Sequence, residues 1–197
     1  MSMKLVFMDI ETSGLDPVKD FPVELGITIL NAKDLSQIYS VDFVVKQDPV
    51  KVHKRRDIST EIHGITKEHL MRGSNSFQIF LEIIDAFKLL DITRQNSVFI
   101  CQNPSFDRQF FNQIVPAEYQ HEVNWPYHWL DLASMFWITQ QAPEYMLLSK
   151  DNIAENIGID IERKPHRALQ GVQHLIECYK TIYMREHEKR RTSFRAA

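Results

Sequence analysis

Two acidic residues that follow a short apolar segment are the first candidates for chemistry. Asp9 and Glu11 come after the apolar run 4–8 and are separated by one residue. Side chains two positions apart on a strand project to the same side of a sheet. Two carboxylates on one face repel each other, and burial raises their pKa values unless a cation lies between them. A divalent ion with oxygen ligands resolves that conflict. The alternative is that both side chains face water at the strand end.

Two further residues carry groups that suit hydrolytic chemistry. Asp107 stands in the segment CQNPSFD (101–107), and His166 stands in PHRAL (165–169). An imidazole with an unperturbed pKa of about 6.5 can accept a proton near neutral pH. The structural alternatives are a carboxylate that stabilises a helix N-terminus for Asp107 and a surface histidine at a helix start for His166.

Basic residues form two clusters along the chain. The first comprises Lys51, His53, Lys54, Arg55 and Arg56, and the second comprises Lys189, Arg190, Arg191 and Arg195. The net charge of −3 argues against indiscriminate coating of DNA but does not exclude a nucleic-acid enzyme. The second cluster favours a solvated tail. The first could be a solvated face, or, since it falls just before the segment EIHGIT (61–66), it could guide the phosphates of a nucleic-acid strand.

The first cluster leads to a direct prediction. Neutralising Lys54, Arg55 and Arg56 together is expected to weaken single-strand binding and to flatten its dependence on salt, because fewer counterions are released. Titration of a labelled oligonucleotide at several salt concentrations measures both effects. Unchanged binding would contradict the role of this cluster.

The elements that must position these groups follow from apolar periodicity. Strands are predicted at 4–8, 23–30, 38–45, 97–101 and 129–131, the first ending at Asp9. Helices are predicted at 59–62, 76–90, 105–114, 132–140, 151–157 and 167–186, with Asp151 as a candidate N-cap and Gly158 as a C-terminal stop. This order predicts a mixed α/β domain with helices covering a central sheet.

Composition narrows the class of protein. The chain has 197 residues, of which 44% are hydrophobic, so extensive disorder is not expected. No apolar run approaches the ~20 residues that span a bilayer, and the N-terminal segment lacks the pattern of a signal peptide, so a cytoplasmic protein without membrane contact is expected. Cys101 and Cys178 are expected to be buried thiols. Residues 1–187 are predicted to form the domain and 188–197 a loose basic tail.

Several segments together resemble the DnaQ-like DEDDh family of 3′→5′ exonucleases. The segment FMDIETSGLDP (7–17) is similar to the first motif of that family, hhDhETTGLDP, and EIHGIT (61–66) contains the family's IHGIT segment. The segment 101–107 resembles the second motif, AHNxxFD. Asp131 with Leu132 resembles the Asp-Thr step that often follows, and 165–169 matches the start of the third motif, HRALxD. The resemblance extends over about residues 4–184, in the family's order.

The resemblance implies a fold and a chemistry. The fold would be a ribonuclease H-like mixed sheet of five strands, with the second strand antiparallel to the others, flanked by helices. The activity would be hydrolysis at single-stranded DNA or RNA 3′ ends, with release of nucleoside monophosphates and two Mg²⁺ or Mn²⁺ ions. Whether a polymerase or a second copy of the chain binds as a partner is left open.

The resemblance also implies roles for individual residues. The implied metal-binding and catalytic carboxylates are Asp9, Glu11 and Asp107, and His166 would be the general base that takes a proton from the attacking water. The residues implied at the terminal nucleotide are Thr12, Gly14, Leu15, His63 and Asn103, the last of which is expected to support the second motif through hydrogen bonds.

One position departs from the family pattern. Gly171 stands five residues after His166, where the third motif has a metal-binding aspartate, and no nearby acid restores the spacing. A glycine inside a helix costs ~1 kcal/mol relative to alanine, so helix stability does not explain it, whereas close backbone packing could. A missing carboxylate is expected to weaken one metal site. Three interpretations stay open: an impaired exonuclease, a module that binds nucleic-acid ends without cleaving, or a substitution in an otherwise active enzyme.

Overall fold

The computed structural model describes residues 2–53, 58–140 and 147–196, without the side chains of residues 53, 58, 59 and 189–196. Lys54, Arg55 and Arg56 of the first basic cluster lie outside the described residues, as do the side chains of the second cluster. The expected roles of both clusters therefore stay predictions. Within the described ranges no helix has the length and apolar character that crossing a bilayer requires.

The centre of the molecule is a mixed sheet of five strands in the described part of the chain. The strands are β1 (Lys4–Thr12), β2 (Pro22–Asn31), β3 (Gln37–Val44), β4 (Ser97–Cys101) and β5 (Trp129–Asp131). Their order across the sheet is β3-β2-β1-β4-β5. Strand β2 runs antiparallel to both of its neighbours, while β4 and β5 run parallel to β1. The predicted five-stranded sheet with an antiparallel second strand is confirmed.

Helices cover both faces of this sheet. They are α1 (Pro49–His53), α2 (Ile58–His63), α3 (Lys67–Arg72), α4 (Ser76–Leu89), α5 (Pro104–Phe111), α6 (Ala117–Glu122), α7 (Leu132–Trp137), α8 (Lys150–Ile157) and α9 (Ala168–Ala196). The longer ones carry the local signals that begin and end helices: Asn75 and Gln78 form a capping box for α4, and Gly158 ends α8 in the left-handed region at a φ of 73°.

Successive side chains of β1 point to opposite faces of the sheet and pack in two separate hydrophobic cores. Val6 and Met8 pack in the core shared with α4 and α5, whereas Leu5 and Phe7 pack in the core formed with α7, α8 and α9. Because side chains on a strand alternate between faces, Asp9 and Glu11 continue the face of Leu5 and Phe7. Both carboxylates therefore face the same side of the sheet as α9.

Gly26 allows α9 to come close to the sheet beside this face. It pairs with Asp9 across the β1–β2 ladder. A Cβ atom at position 26 would lie 2.6 Å from the carbonyl carbon of Ala168, the first residue of α9. The neighbouring atom belongs to backbone and cannot rotate away. The start of α9 can thus approach β2 only because residue 26 has no side chain.

Replacing Gly26 with alanine is expected to push the start of α9 away from β2 and to lower the free energy of unfolding by about 1–3 kcal/mol, the usual cost of overpacking. Urea unfolding followed by circular dichroism measures this change. An alanine variant as stable as the parent would show that this backbone contact is not fixed.

The structure differs from the sequence-based expectations at several boundaries. Strand β1 continues past Asp9 to Thr12, since its pairing with β2 extends that far. Ser149, not Asp151, caps α8, because the Ser149 hydroxyl accepts from the N–H of Asn152. The backbone of α9 is helical to Ala196, ten residues beyond the predicted helix end at Glu186, while the boundary between domain and tail at residue 187 stays a prediction. Both cysteines are buried free thiols, as expected.

Candidate active site

The carboxylates of β1 lie in a poorly solvated environment. Burial raises the pKa of Glu11 to about 8, and the charges of Asp9 and Glu162 contribute to that rise. Burial also raises the pKa of Asp9, although the ammonium of Lys150 acts in the opposite direction. Removing such carboxylates from water favours their protonated form unless a cation is nearby. The sequence-based expectation of a site that attracts a cation is consistent with this electrostatic environment.

Asp107 reaches the same region from the other side of β1. It lies in the first turn of α5, and 4% of its surface is exposed. Burial raises the pKa of its carboxyl well above the ordinary range, and the charge of Asp9 raises it further, while a hydrogen bond from the backbone N–H of Ile10 lowers it. The carboxyl group of Asp107 is therefore close enough to Asp9 for the two charges to interact. An effect on the N-terminus of α5 alone would not account for this interaction.

Asn103 holds the turn that leads into α5. Its backbone oxygen accepts from the N–H groups of Phe106 and Asp107, and its side-chain oxygen accepts from the hydroxyl of Ser105 at 2.5 Å. These contacts agree with the expectation that Asn103 supports the second motif. Its side chain is exposed and is not among the residues that line the groove described below.

A lysine that the sequence patterns did not indicate lies among the acidic residues. The ammonium of Lys150 is 2.8 Å from Oε2 of Glu162 and 3.5 Å from Oδ2 of Asp9, and 12% of its side chain is exposed. Burial alone would lower the pKa of Lys150, but the charges of Asp9 and Glu162 outweigh that effect and raise the pKa above its usual value. Lys150 therefore brings an ammonium into contact with a candidate metal ligand.

Gly171 lies directly against this ion pair. An ideal Cβ at position 171 would be 1.7 Å from Oδ2 of Asp9 and 3.1 Å from Nζ of Lys150. The ammonium of Lys150 also donates to the backbone oxygen of Gly171 at 3.3 Å. The Asp9 carboxylate thus occupies the space in which a side chain at position 171 would begin. The glycine is therefore explained by close packing, but against a side chain and not against backbone.

His166 lies at the edge of the same group of residues. Its Nδ1 atom is 3.4 Å from Oε1 of Glu162, and its side chain is partly exposed. Its backbone N–H donates to the oxygen of Ile62 at 2.9 Å, and the neighbouring Pro165 lies 3.3 Å from an ideal Cβ on Gly64, whose φ is +67°. The IHGIT segment and the third motif, more than a hundred residues apart in sequence, are therefore in contact.

An ion pair between the partly exposed Arg167 and the buried Glu24 fixes the backbone between His166 and Gly171. Glu24 on β2 is 1% exposed, and its two carboxylate oxygens accept from Nε of Arg167 at 2.9 and 3.0 Å. The same carboxylate accepts from the N–H of Ala168 at 2.8 Å. A bidentate arginine–carboxylate pair is geometrically specific, so this contact sets the direction in which α9 leaves β2. Glu24 was not identified from the sequence, because nothing local links it to residue 167.

A groove of about 990 Å³ runs beside the carboxylate of Glu11. Its lining includes Glu11 and four of the residues expected at the terminal nucleotide: Thr12, Gly14, Leu15 and His63. Leu15 is 83% exposed, whereas His63 is 1% exposed and its Nδ1 accepts from the N–H of Ile65. An exposed apolar side chain next to a carboxylate can contact a nucleobase while the phosphate faces the acidic residues.

Potential ligand atoms also converge at a neighbouring position. Within the described residues, one set of three lies within 4.8 Å of one another, and it comprises Asp151, Glu162 and His174. The carboxylate oxygens of Asp9, Glu11 and Asp107 do not all lie within 4.8 Å of one another. Oε2 of Glu162 already contacts Lys150, and Oδ1 of Asp151 accepts from the backbone N–H of Glu162. We therefore regard this set as part of the ion-pair network beneath Asp9.

This arrangement of a ribonuclease H-like sheet, three strand- and helix-borne carboxylates and a histidine defines a class of nuclease. The sequence matches the exonuclease family named for ribonuclease T over residues 6–179. The chain therefore belongs to this exonuclease family, whose fold is DnaQ-like and ribonuclease H-like. Members of the family use divalent metal ions.

Individual relatives agree with this assignment. A PolC-type DNA polymerase III of Thermotoga petrophila is 26% identical over 168 residues, which are 85% of this chain and 11% of that protein. The chain thus spans about a tenth of the length of this relative. Among solved structures, the nuclease domain of 3′hExo, a DEDDh family member bound to rAMP, has a TM-score of 0.73 at 16% identity and covers 94% of this chain and 93% of that one. An E. coli ExoI–ssDNA complex has a TM-score of 0.71 at 18% identity, covering 94% and 41%.

Proposed function

We propose that the protein is a metal-dependent 3′→5′ exonuclease that releases nucleoside monophosphates from single-stranded DNA or RNA. The observation that carries the proposal is the group of buried carboxylates with raised pKa values, Asp9, Glu11 and Asp107, of which Glu11 lines a groove, in a chain of the exonuclease family. Two of the similar structures contain rAMP or single-stranded DNA, which supports a nucleic-acid end as substrate.

The residues present fit a divalent ion. Burial opposes ionisation of Asp9, Glu11 and Asp107, and a bound cation with a preference for oxygen ligands would favour their charged forms. These three residues would hold Mg²⁺ or Mn²⁺, which when bound supplies electrostatic stabilisation of the charge that develops on the phosphoryl oxygens.

His166 would act on the water that attacks the terminal phosphodiester bond. Its Nδ1 faces Glu162, so the Nε2 atom is the one left to accept the proton of that water. The carboxylate of Glu162, 3.4 Å from Nδ1, would help to orient the imidazole. The backbone N–H of His166 donates to the oxygen of Ile62, a residue that lines the groove, and so connects His166 to the groove wall.

The groove would position the last nucleotide. Thr12 donates its hydroxyl to the backbone oxygen of Gly14 at 2.7 Å, which fixes the turn that carries Leu15. A Cβ on Gly14 would lie 2.4 Å from the carboxylate of Asp20, so a side chain at position 14 would displace that carboxylate. Leu15 would then contact the base of the terminal nucleotide, and the scissile phosphate would lie toward Glu11, which lines the same groove.

The direction of attack and the identity of the product can be tested in one experiment. Single-stranded DNA and RNA oligonucleotides labelled at the 5′ end are incubated with Mg²⁺ or Mn²⁺, and the products are separated by gel electrophoresis and chromatography. We expect a descending ladder together with nucleoside monophosphates, abolished by EDTA and by Asp107→Asn. Loss of the 5′ label as a mononucleotide, or cleavage that EDTA does not affect, would overturn the proposal.

A second function is favoured by one specific observation. The ammonium of Lys150 neutralises Asp9 without any metal, so the same groove could hold a 3′ end without cleaving it. In that case the oligonucleotides bind in a fluorescence anisotropy titration, yet no ladder forms with either metal. The cytoplasmic location expected from the sequence, and the absence or presence of protein partners, stay predictions.

A further inference from the structure

We infer that Lys150 is a built-in cation of the candidate active site, and that Lys150 and Gly171 together leave a site for one divalent ion instead of two. The inference rests on the proposed function, because it concerns the metal content of the same site. It assigns a role to a lysine that belongs to none of the motifs, and it gives a physical reason for the glycine that departs from the family pattern.

The first step is the position of the ammonium. Lys150 contacts Asp9 at 3.5 Å, Glu162 at 2.8 Å and the backbone oxygen of Gly171 at 3.3 Å. Three oxygen atoms from three different segments thus lie within 3.5 Å of the nitrogen, and 12% of the Lys150 side chain is exposed. The lysine is therefore held within the site and is not a surface side chain that happens to lie nearby.

The second step is the backbone that carries this lysine. Lys150 is the first residue of α8, and Ser149 caps that helix. Gln102, at the end of β4, donates to the backbone oxygen of Leu148 at 2.7 Å, so the segment before α8 is attached to the second motif. The position of Lys150 beside Asp9 is thus set by the fold of the site itself.

The third step is the match between positions 150 and 171. An aspartate at 171 would start 1.7 Å from Oδ2 of Asp9 and 3.1 Å from the ammonium, so the present arrangement excludes it unless Asp9 turns away. The site therefore lacks the carboxylate that the family pattern has at position 171, and an ammonium lies 3.5 Å from Oδ2 of Asp9. A missing ligand and a nearby positive charge both oppose the binding of a second divalent ion beside Asp9.

The number of bound ions tests this inference without reference to cleavage. The full chain is titrated with Mn²⁺ and free Mn²⁺ is followed by electron paramagnetic resonance, with isothermal titration calorimetry as a second measurement. We expect one Mn²⁺ per chain. Two ions per chain, or none, would overturn the inference.

Variants at position 150 test the role of the ammonium. Lys150→Met retains most of the side-chain length but removes the charge, so Mn²⁺ should bind about tenfold more tightly, or a second ion should bind. Lys150→Arg keeps the charge and should keep a single ion. Lys33→Met, in the turn after β2 at the opposite end of β1 from Asp9, is the matched control and should behave as the parent. Identical Mn²⁺ binding by Lys150→Met and the parent would overturn the inference.

The result of the Mn²⁺ titration can be distinguished from the result of the cleavage assay that tests the proposed function. One ion per chain without cleavage supports the built-in cation and favours the end-binding module. Cleavage with two ions per chain supports the exonuclease and overturns the built-in cation. If Lys150→Met does not fold, as judged by circular dichroism, the number of Mn²⁺ ions bound by the parent and by Lys150→Arg still tests the inference.

Discussion

Replacing His166 with alanine is expected to slow cleavage of a single-stranded 3′ end by about a hundred- to ten-thousand-fold, the usual contribution of a general base. The loss should appear in kcat, because the imidazole acts on water and not on the nucleotide that the groove holds. Single-turnover cleavage of a labelled oligonucleotide at saturating protein measures this effect. The affinity for the oligonucleotide, measured in EDTA, should change little.

The fold should tolerate this substitution. The His166 side chain is partly exposed and its imidazole lies 3.4 Å from Glu162, so we expect its removal to open no internal cavity. His187→Ala, an exposed position near the other end of α9, is the matched control and should retain full cleavage. If His166→Ala cleaves at the rate of that control, His166 is not the general base.

Replacing Gly171 with aspartate is expected to lower both stability and cleavage, and not to restore a stronger enzyme. The new Cβ would begin 1.7 Å from Oδ2 of Asp9, so Asp9 must rotate and give up its contact with Lys150. Overpacking of this kind costs about 1–3 kcal/mol, and a further carboxylate among buried acids adds repulsion. Urea unfolding and the oligonucleotide ladder measure the two effects.

Gly171→Ala separates the steric cause from the electrostatic one. Alanine inside a helix is ordinarily ~1 kcal/mol more favourable than glycine. At this position the same Cβ meets the Asp9 carboxylate, so the alanine variant should instead be no more stable than the parent and should cleave less. A faster ladder with Gly171→Asp than with the parent would show that position 171 is a vacated ligand position.

Much of the fold could be predicted from local patterns. The buried strands and the longer helices carry clear periodicity, and the acidic pair lies on the strand face that the alternation predicted. Helices α1, α3 and α6 were missed because five or six residues are too few to show a helical period. The end of α9 was predicted as a loose tail because its polar residues carry no apolar stripe, although the backbone there is helical.

The least predictable part of the site is the set of contacts between distant segments. Glu24 and Arg167 are 143 positions apart, and Lys150 lies far in sequence from Asp9. No spacing rule links such residues, and a lysine at the start of a helix is ordinarily solvent-exposed. The departure at Gly171 was visible in the sequence, but the side chains that fill its space became apparent only in the folded chain.

The hydrogen bond from Ala168 to Glu24 has a consequence for how the site can be observed. The amide proton of Ala168 is donated to a carboxylate that is 1% exposed, at the point where α9 meets Gly26. Solvent can reach that proton only when the first turn of α9 separates from β2. The deuterium exchange rate of this single amide therefore measures how often the wall of the site that carries His166 opens.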